Sequence, residues 1–471
     1  MPLTKATHQL NSQVLRAYDI RGAVGETLFP EDAFYIGKAF ATKIINKTGK
    51  KNPVIALARD GRISSPELEA NALKGLLAAG AIVKRIGIGP SPMLYFTVRS
   101  ENLDGGMMVT GSHNPGHHNG FKMMYNKAPL FDTEIKEIGE IAANGNFAEG
   151  QGELREENVY DAYIKNLLTA LEGTSKKELK VAWDAGNGAT GDMLQRLVKE
   201  LPGTHILLNE KIDGNFPAHH PDPTVAENLQ QLIDTVLKEK CDFGIAFDGD
   251  GDRIGAVDGK GRIIWGDQLL TIFAEDVLAA KPNSKIIADV KASIAFYETV
   301  TKLGGEPVIW KTGHSYIKNK LSETGAPLAG EISGHIFFAD RYWGFDDALY
   351  AGVRLLNFVQ KTGRSVNEIV DSFPVAYNTP EIRLYVNEED KFRIVDEVKE
   401  KARKEAYLTN AKLSEIDGIR VDMAEGWWLL RASNTQSAVT ARVEANSEEN
   451  LQKLIQVLNR NIAEYGLEVK I

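Results

Sequence analysis

The chain of 471 residues contains a single cysteine, Cys241. One thiol cannot close an intrachain disulfide or supply a thiolate zinc cluster. No run of about 18 apolar residues occurs, so nothing reads as a membrane-spanning helix. The first ten residues lack the apolar stretch of a secretion signal. These absences predict a cytoplasmic protein with no membrane partner. Asn46-Lys47-Thr48 has the form of a glycosylation acceptor, but without a secretion signal it is read as chance. Basic residues are also short: 55 Lys and Arg face 64 Asp and Glu, a formal net charge of −9. That balance offers no overall basic field to nucleic acid, so any anion must be held locally. Low-complexity tracts and short-period repeats are absent. What remains is ordinary for a globular chain, 43% hydrophobic and 25% charged, with length enough for about three domains.

Several apolar runs end in polar turns. Residues 54–57 form a short strand that enters Arg59-Asp60-Gly61-Arg62. A helix follows over 64–79, with serine at its cap, Pro66 in its first turn and Gly80 at its stop. Residues 81–86 form the next strand, and strand, helix, strand at this spacing predicts a parallel sheet. The pattern recurs with strands at 180–184, 243–247, 285–290 and 307–310, and helices at 190–200, 266–280 and 346–361. Beyond about residue 373 the character changes. Strands at 382–386, 418–423, 427–430 and 439–444, with helices at 390–406 and 448–465, predict a separate α+β domain. The expected architecture is three consecutive α/β domains, 1–158, 159–262 and 263–374, and a smaller C-terminal α+β domain, 375–471.

Chemistry-bearing residues collect in the loops. Thr110-Gly111-Ser112-His113-Asn114-Pro115 follows the apolar run Met107-Met108-Val109. Ser112 is the candidate carrier of a phosphoryl group, although the hexapeptide alone also fits an ordinary polar loop. Lys122, shortly after it, can neutralise developing phosphate charge or take a proton. Arg16 and Arg21 are candidate anion contacts. Asp248-Gly249-Asp250-Gly251-Asp252-Arg253 places carboxylates at i, i+2 and i+4 with glycines between them. Such a turn can gather oxygens around one hard cation, and Mg²⁺ fits best. An EF-hand reading fails, because Arg253 and Gly259 stand where Gly and Glu are required. Without a cation the three carboxylates would repel one another. Gly330-Glu331-Ile332-Ser333-Gly334-His335 follows another loop and precedes an apolar strand. Glu331 and Ser333 can hold sugar hydroxyls, and His335 can act as an acid/base group. Arg431-Ala432-Ser433-Asn434-Thr435 lies between two strands, where arginine, hydroxyl, amide and backbone N–H groups can cradle a phosphate. Each of the last two segments, taken alone, also reads as a plain turn.

These loops in this order, from Tyr18-Asp19-Ile20-Arg21-Gly22 to Thr435, resemble the α-D-phosphohexomutase superfamily, most closely its bacterial phosphomannomutase/phosphoglucomutase members. The resemblance implies a four-domain, heart-shaped enzyme around a central cleft, with a shared α/β core in the first three domains and a mobile fourth. It implies a phosphoserine at Ser112, and Mg²⁺ on Asp248, Asp250 and Asp252 with a phosphoserine oxygen. It further implies sugar selection by Glu331 and Ser333, and a phosphate grip from Arg431, Ser433, Asn434 and Thr435. Tyr18, Arg21, Lys122, Arg253, Lys291, His314 and His335 would surround the cleft. Two departures stand out. Ser91 lies between Pro90 and Pro92 where threonine is common, and Gln436-Ser437 replaces the usual residues after the cradle.

The implied reaction moves a phosphoryl group from Ser112 to the free hydroxyl of a hexose 1- or 6-phosphate. The 1,6-bisphosphate so formed turns around in the cleft and returns its other phosphate to Ser112. Catalytic roles fall to Ser112, Lys122, His335 and Arg21, with His335 or Lys122 as the base. Hexose 1,6-bisphosphate would activate the enzyme, and hexose phosphates would be its partners. A monomer is expected, with a dimer as the alternative. Three rivals remain: a phosphoglucosamine mutase, a metal-dependent sugar phosphatase, and a non-enzymatic sugar-phosphate sensor, which would need neither Ser112 nor three aspartates.

Overall fold

Short apolar runs bounded by turn residues become strands buried on both faces, as a parallel sheet covered by helices requires. Gly105–Val109 and Phe243–Phe247 are buried at every position. The computed structural model describes residues 7–173, 178–409, 411–434 and 437–470. Four sheets follow one another along the chain.

The first three sheets contain one unit, repeated. Its opening strand is Val54–Arg59, Lys180–Asp184 or Lys285–Asp289. A flanking strand follows, Ile82–Ile88, Thr204–Leu208 or Glu306–Trp310. The third strand is Gly105–Val109, Phe243–Phe247 or Leu328–Gly330, and the return strand is His118–Tyr125, Ile254–Asp258 or Ile336–Phe338. In space the order is return, third, opening, flanking in every unit. The opening strand pairs in parallel with its two neighbours, and the return strand is antiparallel to the third. The connection from third to return strand is therefore a hairpin loop at the carboxyl end of the sheet, where α/β folds place their ligands. Those loops carry Ser112, the three aspartates, and Glu331 with Ser333.

Three details refine or correct the sequence reading. Ile20–Ala23 is an edge strand, antiparallel to the first return strand with Arg21 opposite Gly120. Gly330 follows no loop but closes a three-residue strand, too short to register as an apolar run. His314 opens the helix His314–Thr324.

The helix Ala348–Thr362 packs between the second and third units. It is buried along almost its whole length. At Gly352 a Cβ would lie 2.9 Å from the Trp183 ring, so glycine permits the close approach. One continuous apolar core runs from Ala56 through Trp183 to Ile369. The fourth sheet, built on Gly426–Ala432 and Ala438–Ala445, is antiparallel and has a separate core with the helices Asp390–Thr409 and Glu448–Ile462. It docks on the third unit through a small apolar contact of Val290, Trp427 and Leu429. Arg420 donates to the carbonyls of Val290 and Ala292, each at 2.8 Å. Glu444, fully buried, accepts from Ser293 Oγ at 3.0 Å and Ile294 N at 2.9 Å. No helix of the described residues is long and apolar enough to cross a membrane.

Candidate active site

The serine loop is shaped from the turn after the first opening strand. Ser112 has φ of 49°, left-handed, a conformation that costs an L-residue about 1–2 kcal/mol. Asp60 and Arg62 hold it there. Asp60 accepts from Thr110 Oγ1 at 2.8 Å, Gly111 N at 3.2 Å and Arg62 N at 3.0 Å. The buried Arg62 guanidinium donates to the carbonyls of Ser112 (2.7 Å), Asn114 (2.6 Å), Pro115 (2.6 Å) and His118 (2.9 Å). Arg21 donates to Asn114 Oδ1 at 2.9 Å and pairs with Asp19. The loop then meets the aspartate turn: a Cβ on Gly249 would lie 2.3 Å from the Ser112 carbonyl oxygen. Ser112 Oγ donates to Asp248 Oδ2 at 2.7 Å.

Asp248, Asp250 and Asp252 are all fully buried, and each offers an oxygen within 4.8 Å of the others. Backbone N–H groups of Asp252 and Arg253 donate to Asp248 Oδ1. Ser91 Oγ donates to Asp250 Oδ2 at 2.5 Å, so the serine between the two prolines reaches this turn. Lys122 Nζ donates to Asp250 Oδ2 at 2.6 Å and also to Asp252 Oδ2. Asp250 Oδ1 and Asp252 Oδ1 are buried with no hydrogen-bond partner. An oxygen-only donor set with buried, unpartnered carboxylate oxygens suits a hard divalent cation. Burial, with Asp250 and Asp252 beside it, pushes the Asp248 carboxyl well above the usual range. Burial acts the same way on Asp250 and Asp252, but the Lys122 ammonium outweighs it and both lie below their ordinary value. Burial would lower Lys122, yet those two carboxylates raise it well above normal, so it stays an ammonium.

The third hairpin loop brings Glu331, Ser333 and His335. Glu331 accepts from Gly313 N and from Ser333 Oγ at 3.3 Å. Arg253, from the aspartate turn, donates through Nε to His335 Nε2 at 3.1 Å. His314 stacks on His335 with ring centroids 5.4 Å apart. Burial and then Lys318 push the His314 imidazole well below its usual pKa, so it is neutral. Lys291 Nζ donates to Glu381 Oε2 at 2.7 Å and lies 3.6 Å from Asp289 Oδ2.

A second cluster forms where the fourth domain faces the first. Arg431 Nε donates to Asp417 Oδ2 at 2.9 Å, and that oxygen also accepts from Thr312 N at 3.0 Å. Ser433 is buried beside it. Asn434 Nδ2 meets Tyr18 OH, which donates to the Thr312 carbonyl at 2.8 Å. Tyr18 packs edge-on against His314 at 5.8 Å, which joins this cluster to the one around Ser112. Thr435 and Gln436 lie outside the described residues.

The structure thus gathers Ser112, the three aspartates, Arg21, Lys122, Arg253 and His335 on one side, and Tyr18, Glu331, Ser333, Arg431, Ser433 and Asn434 on the other. Sequence reasoning missed Asp60 and Arg62 as the frame of the serine loop, and Asp346, Lys318 and Asp417 as partners of site residues. Only the Arg59-Asp60-Gly61-Arg62 turn offered a signal, two arginines and an aspartate at the end of a strand.

Known proteins match the chain over all four domains. Residues 12–149, 161–261 and 265–377 match the phosphoglucomutase/phosphomannomutase α/β/α domains I, II and III, and residues 381–460 match the C-terminal domain. The chain is 40% identical over 453 residues to phosphomannomutase/phosphoglucomutase of Pseudomonas aeruginosa, covering 96% of each. It is 40% identical over 448 residues to phosphoglucomutase of Neisseria gonorrhoeae, covering 94% of this chain and 95% of that one. A crystal structure of a phosphoglucomutase/phosphomannomutase family protein from Burkholderia thailandensis superposes with a TM-score of 0.90 at 38% identity, covering 98% and 99% of the two chains. With its repeated α/β units, its separate fourth domain and its serine and aspartate loops in contact, the chain belongs to the phosphoglucomutase/phosphomannomutase family, within the α-D-phosphohexomutase superfamily.

Proposed function

We propose that this isomerase interconverts hexose 1-phosphates and hexose 6-phosphates, of glucose, mannose or both, through a phosphoserine at Ser112 and a hexose 1,6-bisphosphate intermediate. The observation that carries the reading is the buried Ser112 hydroxyl, 2.7 Å from Asp248 in a turn of three buried aspartates. Asp248, Asp250 and Asp252 would hold Mg²⁺ together with a phosphoserine oxygen. The ion supplies charge neutralisation to the transferring phosphoryl group. Lys122 and Arg21 add fixed positive charge on the same side. Glu331 and Ser333 orient the sugar hydroxyls. Arg431, Ser433, Asn434 and Thr435 grip the phosphate that does not react, with Tyr18, Lys291 and His314 around them and Arg253 on the Ser112 side. Lys122 is an ammonium between two carboxylates and poorly suited to accept a proton, so His335 is the better base. Free hexose 1,6-bisphosphate would rephosphorylate Ser112 and so activate the enzyme. The working unit is a single chain, since the site draws on its own four domains.

The test offers glucose, mannose and glucosamine 1-phosphates side by side, with Mg²⁺ and a trace of hexose 1,6-bisphosphate, and follows each 6-phosphate. Turnover of the first one or two, lost in Ser112→Ala, is the expected result. Turnover of glucosamine 1-phosphate alone would move the substrate and keep the mechanism. Release of free phosphate in excess of isomerisation would make the protein a phosphatase, and a Ser112→Ala protein with full mutase turnover would sink the scheme.

A further inference from the structure

Each carbonyl of the serine loop from Gly111 to Pro115 has a partner, and one of those partners comes from the second unit. The Gly111 carbonyl accepts from Asn114 N at 2.9 Å. Arg62 takes the carbonyls of Ser112, Asn114 and Pro115. The carbonyl of His113 accepts instead from His220 Nε2 at 2.6 Å. A carbonyl only accepts, so the imidazole N–H is the donor. His220 lies in residues 211–223, which follow the flanking strand Thr204–Leu208. The turn after the second opening strand fixes this segment. Asn187, buried and left-handed at φ of 56°, donates through Nδ2 to the Lys211 carbonyl at 2.9 Å. Its own carbonyl accepts from Asp213 N at 3.0 Å, and its Oδ1 accepts from Ala218 N at 3.3 Å. The His219 ring spans Asp184 Oδ2, 2.9 Å from Nε2, and the His220 carbonyl, 3.0 Å from Nδ1. So anchored, the segment also reaches the parts on either side of the serine loop. A Cβ on Gly214 would lie 2.6 Å from Ile63 N and 2.7 Å from the Gly61 carbonyl oxygen, so the backbone there rests on the Arg62 turn. The Phe216 ring faces the Arg62 guanidinium, with its centroid 5.3 Å from the guanidinium carbon. A Cβ on Gly249 would lie 3.4 Å from Pro221 Cγ, which sets Pro221 beside the aspartate turn.

We propose that residues 211–223 form a clasp that positions the Ser112 loop against the aspartate turn, with His220 as its positioning residue through the bond from Nε2–H to the His113 carbonyl. This rests on the reading of Ser112 as the carrier of the phosphoryl group. A left-handed serine persists only where its surroundings over-determine it. Arg62 supplies that constraint from the first unit and His220 from the second. Clasp and aspartate turn belong to the same unit, so the bond registers the serine directly against the carboxylates. Loss of either hold lets Ser112 Oγ drift from the line of transfer, which lowers turnover without weakening substrate binding.

The test measures hydrogen exchange of the full-length protein by mass spectrometry, beside steady-state mutase kinetics with glucose 1-phosphate. His220→Phe keeps the bulk of the ring and removes the donor. Gly214→Ala lifts the segment from the Arg62 turn and leaves His220 in place. Both are expected to speed exchange in peptides covering residues 110–118 by about tenfold, with no change in the helix Ala348–Thr362. Both should lower kcat by about 10–10²-fold, with KM changed by less than about threefold. His220→Gln, whose side-chain N–H can meet the same carbonyl, should bring both readings back toward wild type. Unchanged exchange over residues 110–118 in His220→Phe overturns the proposal, and if that variant does not fold, unchanged exchange in Gly214→Ala does so. Faster exchange with wild-type kcat overturns it as well. A His220→Gln protein as impaired as His220→Phe also overturns it, because the N–H is then not the link. A wild-type protein without mutase turnover is a different result: it removes the reaction proposed for Ser112, while the exchange measurements still decide the clasp.

Discussion

Ser112 is the residue on which the site turns, and its backbone is held where an L-residue resists going. The close approach of Gly249 to the Ser112 carbonyl matters as much as the hydroxyl itself. A methyl group at 249 would stand 2.3 Å from that oxygen, and the contact is with backbone, which cannot swing aside. Gly249→Ala should therefore separate the serine loop from the aspartate turn. A displacement of the order of 1 Å at reacting groups costs about 10²-fold in rate, so kcat should fall by about that factor. Steady-state mutase kinetics on the folded variant check this, and an unchanged kcat would show that the two loops move independently.

Among the elements, the turn after the first opening strand is the one whose work is least apparent from its composition. Arg62 serves the carbonyls of Ser112, Asn114, Pro115 and His118 with one planar fork. Lysine is a point donor and cannot reproduce that geometry. A buried carbonyl left without a partner costs about 1–3 kcal/mol. Arg62→Lys is expected to lower the urea midpoint and kcat together, because the same bonds stabilise the fold and shape the loop. A variant that loses stability yet keeps kcat would show that the loop holds its form without the arginine.

The joint between the third and fourth domains carries a pH dependence of definite sign. Burial would raise the Glu381 carboxyl, but the Lys291 ammonium holds it down at about 2. A depressed carboxyl contributes stability that is complete above its ordinary value and is lost as pH falls through the depressed one. The difference in urea midpoint between wild type and Glu381→Gln should therefore be constant near neutrality and shrink as pH drops from about 4.5 toward 2. A difference independent of pH over that interval would mean that the pair is not ionised in the folded protein.

Local patterns in the chain were readable wherever a local cause sets them. The strands Lys180–Asp184 and Phe243–Phe247 and the helix Gly266–Ala280 have the limits their apolar runs suggest. Relations between distant residues left no such mark. Arg62 and His118 are 56 positions apart, and His335 and Asp346 come from different elements. The kinship of the three hairpins was hidden too. The first return strand opens with the polar pair His118 and Asn119, and the last third strand has only three residues.

At the scale of the whole molecule, one apolar core spans the first three domains, beside clusters of their own, and the fourth keeps a separate one. Ser112 and the aspartates come from two domains within that shared core, so a ligand binding across them stabilises both at once. Mg²⁺ at 100 times its dissociation constant should add about 2.7 kcal/mol to the unfolding free energy. A thermal melt with and without Mg²⁺ reads this as a rise in Tm, absent in Asp250→Asn. Equal melting temperatures for wild type in Mg²⁺ and in chelator would contradict a cation at the aspartate turn.

The strand order return, third, opening, flanking, found three times over, has a consequence for engineering. Three copies of one unit in tandem separate what the domains share from what sets them apart. Each unit keeps the sheet and differs in the hairpin, one carrying a serine, one three carboxylates and one Glu331, Ser333 and His335. Sheet and hairpin are therefore separable parts. The proposed sugar selection by Glu331 and Ser333 can thus be put to the test by exchanging the third hairpin for that of a relative, and the strands beneath it need not be redesigned.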